Sequence, residues 1–336
     1  MKTTKIKNPT NKICPLPWHH FYMQNTGTIK LCCAATTGKQ PIVDKETNTV
    51  TQFIKNNRNH PKVVQARRDW LDGYIPEDCH MCIERDGFKR VDGWNEVLID
   101  QGGLERPETE IVDYPARYLD YRIDATCQAF CIMCVPAESS RWKSVIRNNP
   151  QIKPWMPDGS SSINGIKIDH QWLYDIDKVV MLTVAGGEPF ISDRNYDFLY
   201  DNIHKIKRLR FITNLNDVHE NIFNFIEQNK KKIKVTISCD GLYDTYNFVR
   251  AGLSWEKLEK NYKRLKTILP STSILVNFVS MSHNKHQHQQ MIDYFAPSEV
   301  IIEEVENAPW VDDPEFLEHW YRVNPKAREL SKRYDG

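Results

Sequence analysis

The 336-residue chain has no run of about 18 apolar residues, so no stretch of it is expected to span a membrane as a helix. It has no excess of charge either: 45 Lys and Arg stand against 44 Asp and Glu. That balance exerts no long-range pull on nucleic acid or an anionic membrane, and neither is expected as a partner. The local basic patches at 205–210 and 230–234 read as solvated helix ends. The first residues, MKTTKIKNPTNKICPLPW, lack the apolar core of a signal peptide, which predicts a cytoplasmic, reducing setting. Nine cysteines in such a setting are metal ligands or core residues rather than disulfides. Internal repeats and low-complexity segments are absent.

What is present divides by texture. Residues 1–113 are polar, rich in turns and poor in long periodic segments, apart from a helix predicted over 61–71. The stretch DQGGLERPETEIVDYP at 100–115 reads as a linker. Beyond it, strand and helix patterns alternate. Strands are predicted over 117–124, 178–184, 209–213, 232–239, 273–280 and 299–304. Helices are predicted over 139–147, 194–205, 218–228, 255–269 and 285–295. MLTV, KVTIS and ILVNFV are short β-branched runs, as in strands covered on both faces. Repeated βα units predict an α/β fold with a parallel sheet, open or closed, and six units are too few for a complete eight-stranded barrel. The insert at 149–164, clustered in Pro, Gly and Ser, reads as a loop long enough to cover a site. Residues 308–336 are expected to form a helical tail after the last strand.

The sharpest motif is CQAFCIMC at 127–134, three cysteines directly after the first strand of the βα series. Thiolates suit zinc or iron–sulfur clusters. Structural zinc normally takes four ligands, whereas a four-iron cluster on three thiolates keeps one iron open. The bland alternatives are a zinc site or buried thiols. Further motifs end later strands: GGEP at 186–189, ITN at 212–214 and SCDG at 238–241; VNFV at 276–279 lies on the fifth.

Cys-x3-Cys-x2-Cys with these companions resembles the radical S-adenosylmethionine (SAM) enzymes over roughly residues 116–307. The resemblance implies a partial (β/α)6 barrel over 114–307. It implies a [4Fe–4S] cluster on Cys127, Cys131 and Cys134, with SAM chelating the open iron. Reductive cleavage of SAM would then yield a 5′-deoxyadenosyl radical that abstracts hydrogen from a substrate. An electron donor of flavodoxin or ferredoxin type follows. Gly186, Gly187, Glu188 and Pro189 would form the loop at the SAM methionine end. Met133 stands where many members carry an aromatic residue near the adenine, and Gln128 where Asn is common. Ser238 and Asp240 would bond the ribose or the methionine carboxylate, and Arg250 would pair with that carboxylate. Asp240–Gly241 also reads as a plain turn and Arg250 as a surface residue. Asn214 and Asn277 are weaker candidates facing the barrel.

Cys14, Gly27 and Cys32 fit Cys-x9–15-Gly-x4-Cys, and CHMC adds Cys79 and Cys82. Together these resemble the SPASM and twitch auxiliary-cluster modules. That implies a small irregular N-terminal domain over 1–113 holding a second [4Fe–4S] cluster on Cys14, Cys32, Cys79 and Cys82. A four-thiolate zinc site has the same spacing, and Cys33 is an alternative to Cys32. Cys239 reads as a core residue and His80 as a bystander. HNKHQH at 283–288 reads as a solvated helix start, and Glu304 or Glu306 as sheet edge or substrate-facing. The S-x-D-G motif resembles the peptide-modifying branch, so the implied substrate is a peptide or protein side chain. A small metabolite or nucleotide-derived substrate, and a non-catalytic iron–sulfur or zinc scaffold, are the alternatives.

Overall fold

The computed structural model describes residues 5–23, 29–35, 58–122, 125–157, 178–191, 199–305 and 308–327. Ten strands are used below: β1 (Ile6–Lys7), β2 (His20–Met23), β3 (Ile29–Lys30), β4 (Tyr74–Ile75), β5 (Tyr118–Arg122), β6 (Val179–Ala185), β7 (Ile206–Thr213), β8 (Ile233–Ser238), β9 (Ile274–Ser280) and β10 (Glu299–Glu304). The helices are α1 (Leu16–His19), α2 (Pro61–Leu71), α3 (His80–Asp86), α4 (Lys89–Trp94), α5 (Ser140–Asn148), α6 (Glu220–Gln228), α7 (Tyr243–Val249), α8 (Trp255–Ile268), α9 (His288–Phe295) and α10 (Pro314–Val323).

The fold is α/β. Eight strands form one sheet in the order β10-β9-β8-β7-β6-β5-β2-β3, seven of them parallel. Only β3 runs against its neighbour, pairing antiparallel with β2. From β5 to β10 the spatial order follows the chain without reversal. Right-handed crossovers that always step the same way put every linking helix on one face. β9 records the consequence: Ile274, Val276, Phe278 and Ser280 are buried, while Leu275, Asn277 and Val279 are half-buried. Phe278 meets His288 of α9 edge to face, so the buried set is the helix side.

All six strands of the βα series form within three residues of their expected starts. The helix over 61–71 forms as α2, with Pro61 at its first turn and His60 accepting from the Lys62 amide. Three expectations need correction. The sheet has eight strands because β2 and β3, from the region read as irregular, extend it past β5. Four residues of strand pattern were too short to stand out among turns. The same region also holds α3 and α4 and a π-helical turn at Asn95–Asp100. The start of the 149–164 insert is a short 3-10 helix, Pro150–Trp155, with Ile152 buried. The remainder of that insert, Gly27, Glu306, residues 123–124, 194–198 and 328–336 lie outside the described residues.

The chain divides into two compact units. The first comprises residues 1–121, 161–183 and 198–208. Its apolar clusters join Trp18, Trp70, Ile75 and Val112, and separately Leu16, Leu98, Tyr118, Val180 and Met181. The second comprises 122–160, 184–197 and 209–336. Its core contains Phe130, Ile132, Trp142, Val249, Trp310, Phe316 and Trp320, so the residues between the cysteines of the 127–134 loop are themselves core. Among the described residues, no helix is long and apolar enough to cross a membrane.

Candidate functional site

The 127–134 loop is built before it carries any chemistry. Phe130 N donates to Ala251 O and Ile132 N to Val249 O, both at 2.9 Å, so the loop runs as a short ladder on either side of Arg250. Trp142 Nε1 donates to Cys131 O at 2.9 Å and Trp310 Nε1 to Ile132 O at 2.8 Å. Ser139 caps α5, accepting from Trp142 N, and its hydroxyl donates to Ala129 O. Phe130 and Ile132 are core residues, Cys131 is buried between them, and Cys134 packs against that core from a half-buried position. Met133 packs against the same core.

Cys131 stands close enough to Cys127 and Cys134 to disfavour ionisation of both, and Cys127 does the same to Cys134. Burial is the larger cause: it pushes Cys127 up to about 12 and raises Cys131 and Cys134 too. Arg250 offsets this at Cys131, where its Nη1 lies 3.8 Å from the sulfur. Gln128 Oε1 is buried and has no hydrogen-bond partner among the described residues, while its Nε2 donates to Asn214 Oδ1 at 3.3 Å.

The GGEP loop docks onto this one. Gly186 and Gly187 have φ of +84° and +54°. A Cβ at Gly187 would sit 2.3 Å from the Thr126 carbonyl oxygen, and one at Gly186 2.9 Å from the Arg122 Cβ. Both glycines therefore let the loop press on the backbone leading into the cysteines. Glu188 N then donates to Thr126 O at 2.7 Å. The Glu188 carboxylate is buried and fully engaged. Its Oε1 accepts from Thr213 Oγ1 at 2.6 Å and Phe190 N at 3.1 Å, and its Oε2 accepts from Asn214 N at 2.6 Å. Burial nevertheless raises its pKa to about 7. These contacts tie the loop after β6 to the end of β7. Pro189 is buried at the start of a short 3-10 turn.

After β8, Asp240 is fully buried. Its Oδ1 accepts from Val279 N at 2.7 Å and its Oδ2 lies 2.6 Å from Arg250 Nη2. Burial raises the Asp240 carboxyl and Arg250 draws it back down. Arg250 is 9% exposed, so it is not a surface residue. The two residues expected to meet SAM separately thus pair with each other, and the arginine continues to Cys131. Ser238 and Asn277 are register partners on β8 and β9. Asn277 belongs to the half-buried, helix-free side of β9. Cys239 is buried, as expected of a core residue.

In the first unit, Cys33 disfavours ionisation of Cys14, Cys32 and Cys82, and Cys14, Cys32 and Cys82 disfavour that of Cys79. Burial, again the largest cause, pushes Cys14 up to about 12. Cys14 shares one apolar cluster with Cys32 and another with Cys79. Arg90, on α4, brings Nη2 to 3.6 Å from Cys33 Sγ. His80 bonds Ile75 O through Nε2 at 3.1 Å. His288 bonds Ser280 and His283 bonds Val311 O, so two of the three histidines of 283–288 are used structurally.

Among the described residues, no group of three or more His, Cys, Asp or Glu side chains is arranged to hold a single metal ion. A cubane asks for something else, because each thiolate takes a different iron and the sulfurs need not converge on a point. The donor chemistry fits such a group: three buried thiols, raised chiefly by burial, need a cationic partner to ionise, and Gln128 Oε1 lies buried beside them with no hydrogen-bond partner among the described residues. The sequence missed the ladder around Arg250 and the Glu188 contacts, which depend on distant backbone.

No protein-family model and no curated protein sequence matches the chain. Structural neighbours exist. One is anSMEcpe with bound AdoMet, 16% identical over 56% of this chain and 51% of that one, at a TM-score of 0.40. Another is Streptococcus suis SuiB bound to S-adenosylmethionine, 14% identical over 84% and 60% of the two chains, at 0.43. SuiB bound to its precursor peptide SuiA is 10% identical over 99% and 71%, at 0.44. The chain thus spans about half the length of anSMEcpe. Likeness at this level transfers no residue's role.

Proposed function

We propose that this chain is a radical SAM enzyme acting on a peptide or protein side chain. On this reading Cys127, Cys131 and Cys134 hold a [4Fe–4S] cluster, and Cys14, Cys32, Cys79 and Cys82 hold an auxiliary one. The observation that carries the reading is one constellation. Three cysteines lie on a rigid loop after β5, the GGEP loop after β6 is docked on it through Glu188 N, and Arg250, after β8, reaches Cys131. The unreversed order β5 to β10 supports a partial barrel, its helix-free face turned inward. When bound, the cluster and SAM supply hydrogen-atom abstraction after reductive cleavage of SAM.

The chain's own residues do the rest. The ladder at 130–132 and the two tryptophan donors hold the cysteine loop against reorganisation. Glu188 locks the loop after β6 to the end of β7, so both loops present fixed edges to a ligand. Arg250, held by Asp240, places a positive charge beside Cys131. Gln128 offers a buried acceptor at the loop. Ser238, at the end of β8, and Asn277, midway along β9, offer adjacent hydrogen-bonding groups.

The test is anaerobic reconstitution. The reading expects about eight irons per chain, falling to about four in Cys127→Ala. It also expects 5′-deoxyadenosine from SAM under dithionite. Zinc at the 127–134 loop, or iron without 5′-deoxyadenosine under any reductant, refutes it.

A further inference from the structure

Parallel sheets are ordinarily covered on both faces. In the second unit, the side of the sheet turned away from the helices is only half covered. Register shows which residues share it. Arg210 on β7 stands beside Lys234 on β8, and Ser238 on β8 beside Asn277 on β9. Asn277 in turn stands beside Ile301 on β10. Lys234 is exposed, and Arg210, Ser238, Asn277 and Ile301 are half-buried. The intervening Val235, Ile237, Val276 and Phe278 are buried on the helix side.

Charge on this open face is divided. Arg210 and Lys234 lie on β7 and β8, while Glu299 and Glu303 lie on β10 beyond β9. Both cations come from the basic stretches expected to be solvated helix ends, and both lie on strands. Arg210 Nε donates to Thr236 Oγ1 at 2.9 Å, which ties β7 to β8 and holds the guanidinium in place. Among the described residues neither cation is paired with a carboxylate. Like charges side by side on neighbouring strands are destabilising. The bond to Thr236 accounts for Arg210 as a strand tie. It does not account for a second cation set beside it on the open face.

We propose that, given the peptide-modifying function proposed for the chain, this face receives an extended segment of the substrate peptide, with Arg210 and Lys234 taking one of its acidic side chains. A carboxylate between them relieves their repulsion and accepts charge-assisted hydrogen bonds. The glutamates of β10 repel the same group, so the acid lies at β7 and β8 and fixes the direction of the peptide. The strand rise sets its distance from the chemistry. The cysteine loop meets the sheet at Asn214, through Gln128 Nε2. Asn214 follows Arg210 by four residues and Ser238 follows Lys234 by four, roughly 13 Å of extended chain. The acidic residue therefore lies about four positions from the residue that reacts.

The experiment pans a phage-displayed random dodecapeptide library on the immobilised, reconstituted full chain without oxygen. Selected sequences are expected to carry Asp or Glu at one aligned position. Lys234→Glu, a change at an exposed site, turns that preference toward Lys or Arg. A selected peptide, synthesised and followed by fluorescence anisotropy, binds about tenfold more weakly when its acid is replaced by the amide. Against Arg210→Gln, which keeps a donor for Thr236, that replacement costs little more. Selection without an acidic position, or the same acidic position in Lys234→Glu, overturns the proposal. Panning requires no turnover, so the two readings fail separately. A chain that selects acids but makes no 5′-deoxyadenosine overturns the radical chemistry alone. One that makes 5′-deoxyadenosine but selects no acid overturns the acidic-peptide face alone.

Discussion

Replacing Gly187 by alanine tests the docking of the two loops most directly. Two costs separate at this position. The first is conformational: at φ +54° an L-residue costs about 1–2 kcal/mol relative to glycine. The second is steric. The new methyl would lie 2.3 Å from the Thr126 carbonyl oxygen, and that neighbour is backbone, not the tip of a flexible chain. The loop must withdraw by roughly 1 Å to restore ordinary contact. The Glu188 N to Thr126 O bond, 2.7 Å in the native loop, then breaks in a buried setting at a further 1–3 kcal/mol or so. The sum is about 4 kcal/mol, a large part of a typical domain's stability. Gly73 supplies the control. Its φ is +80° but a Cβ there meets nothing within 4 Å, so Gly73→Ala carries only the conformational cost of about 1–2 kcal/mol. Urea denaturation reads both, and amide exchange at Glu188 and Asn214 localises the effect. Equal losses in the two variants would show that the close approach is not real and refute the argument.

Two further outcomes follow from the buried charges. Glu188 has a native pKa near 7 against an ordinary value of 4.5, so folding takes up a proton between these values. Its contribution to stability is complete below pH 4.5 and is lost as pH rises through 7, a decline of up to about 3 kcal/mol. In Glu188→Gln that slope disappears from denaturation curves taken between pH 5.5 and 8, and an unchanged slope assigns it elsewhere. Asp240→Asn strands the Arg250 guanidinium in the core at a cost of about 3–5 kcal/mol, most of it recovered in Asp240→Asn/Arg250→Met. A single variant within 1 kcal/mol or so of the parent would mean that the pair contributes little.

Much of the site was legible because its residues are near in sequence or end a strand. Cys127, Cys131 and Cys134 span eight residues, and Gly186 to Pro189 and Ser238 to Asp240 follow β-branched runs that any period-two reading finds. What those residues do to one another was not legible. Glu188 and Thr213 are 25 positions apart, and Arg250 and Cys131 are 119. Arg58 and Arg67 sat in a polar stretch with no pattern to distinguish them, and only burial sets them apart.

The sequence alone determined the α/β alternation, the six strands of the βα series and the cysteine loop's place after the first of them. These rest on local hydrophobic period and on residue chemistry, which act within a few positions. Tertiary structure decided the rest: that β2 and β3 join the sheet, that Asp240 and Arg250 answer each other, and that Arg58 and Arg67 are buried. Each of these turns on which distant groups are brought together out of water, where charge and hydrogen bonding are strongest, and no local pattern encodes that meeting.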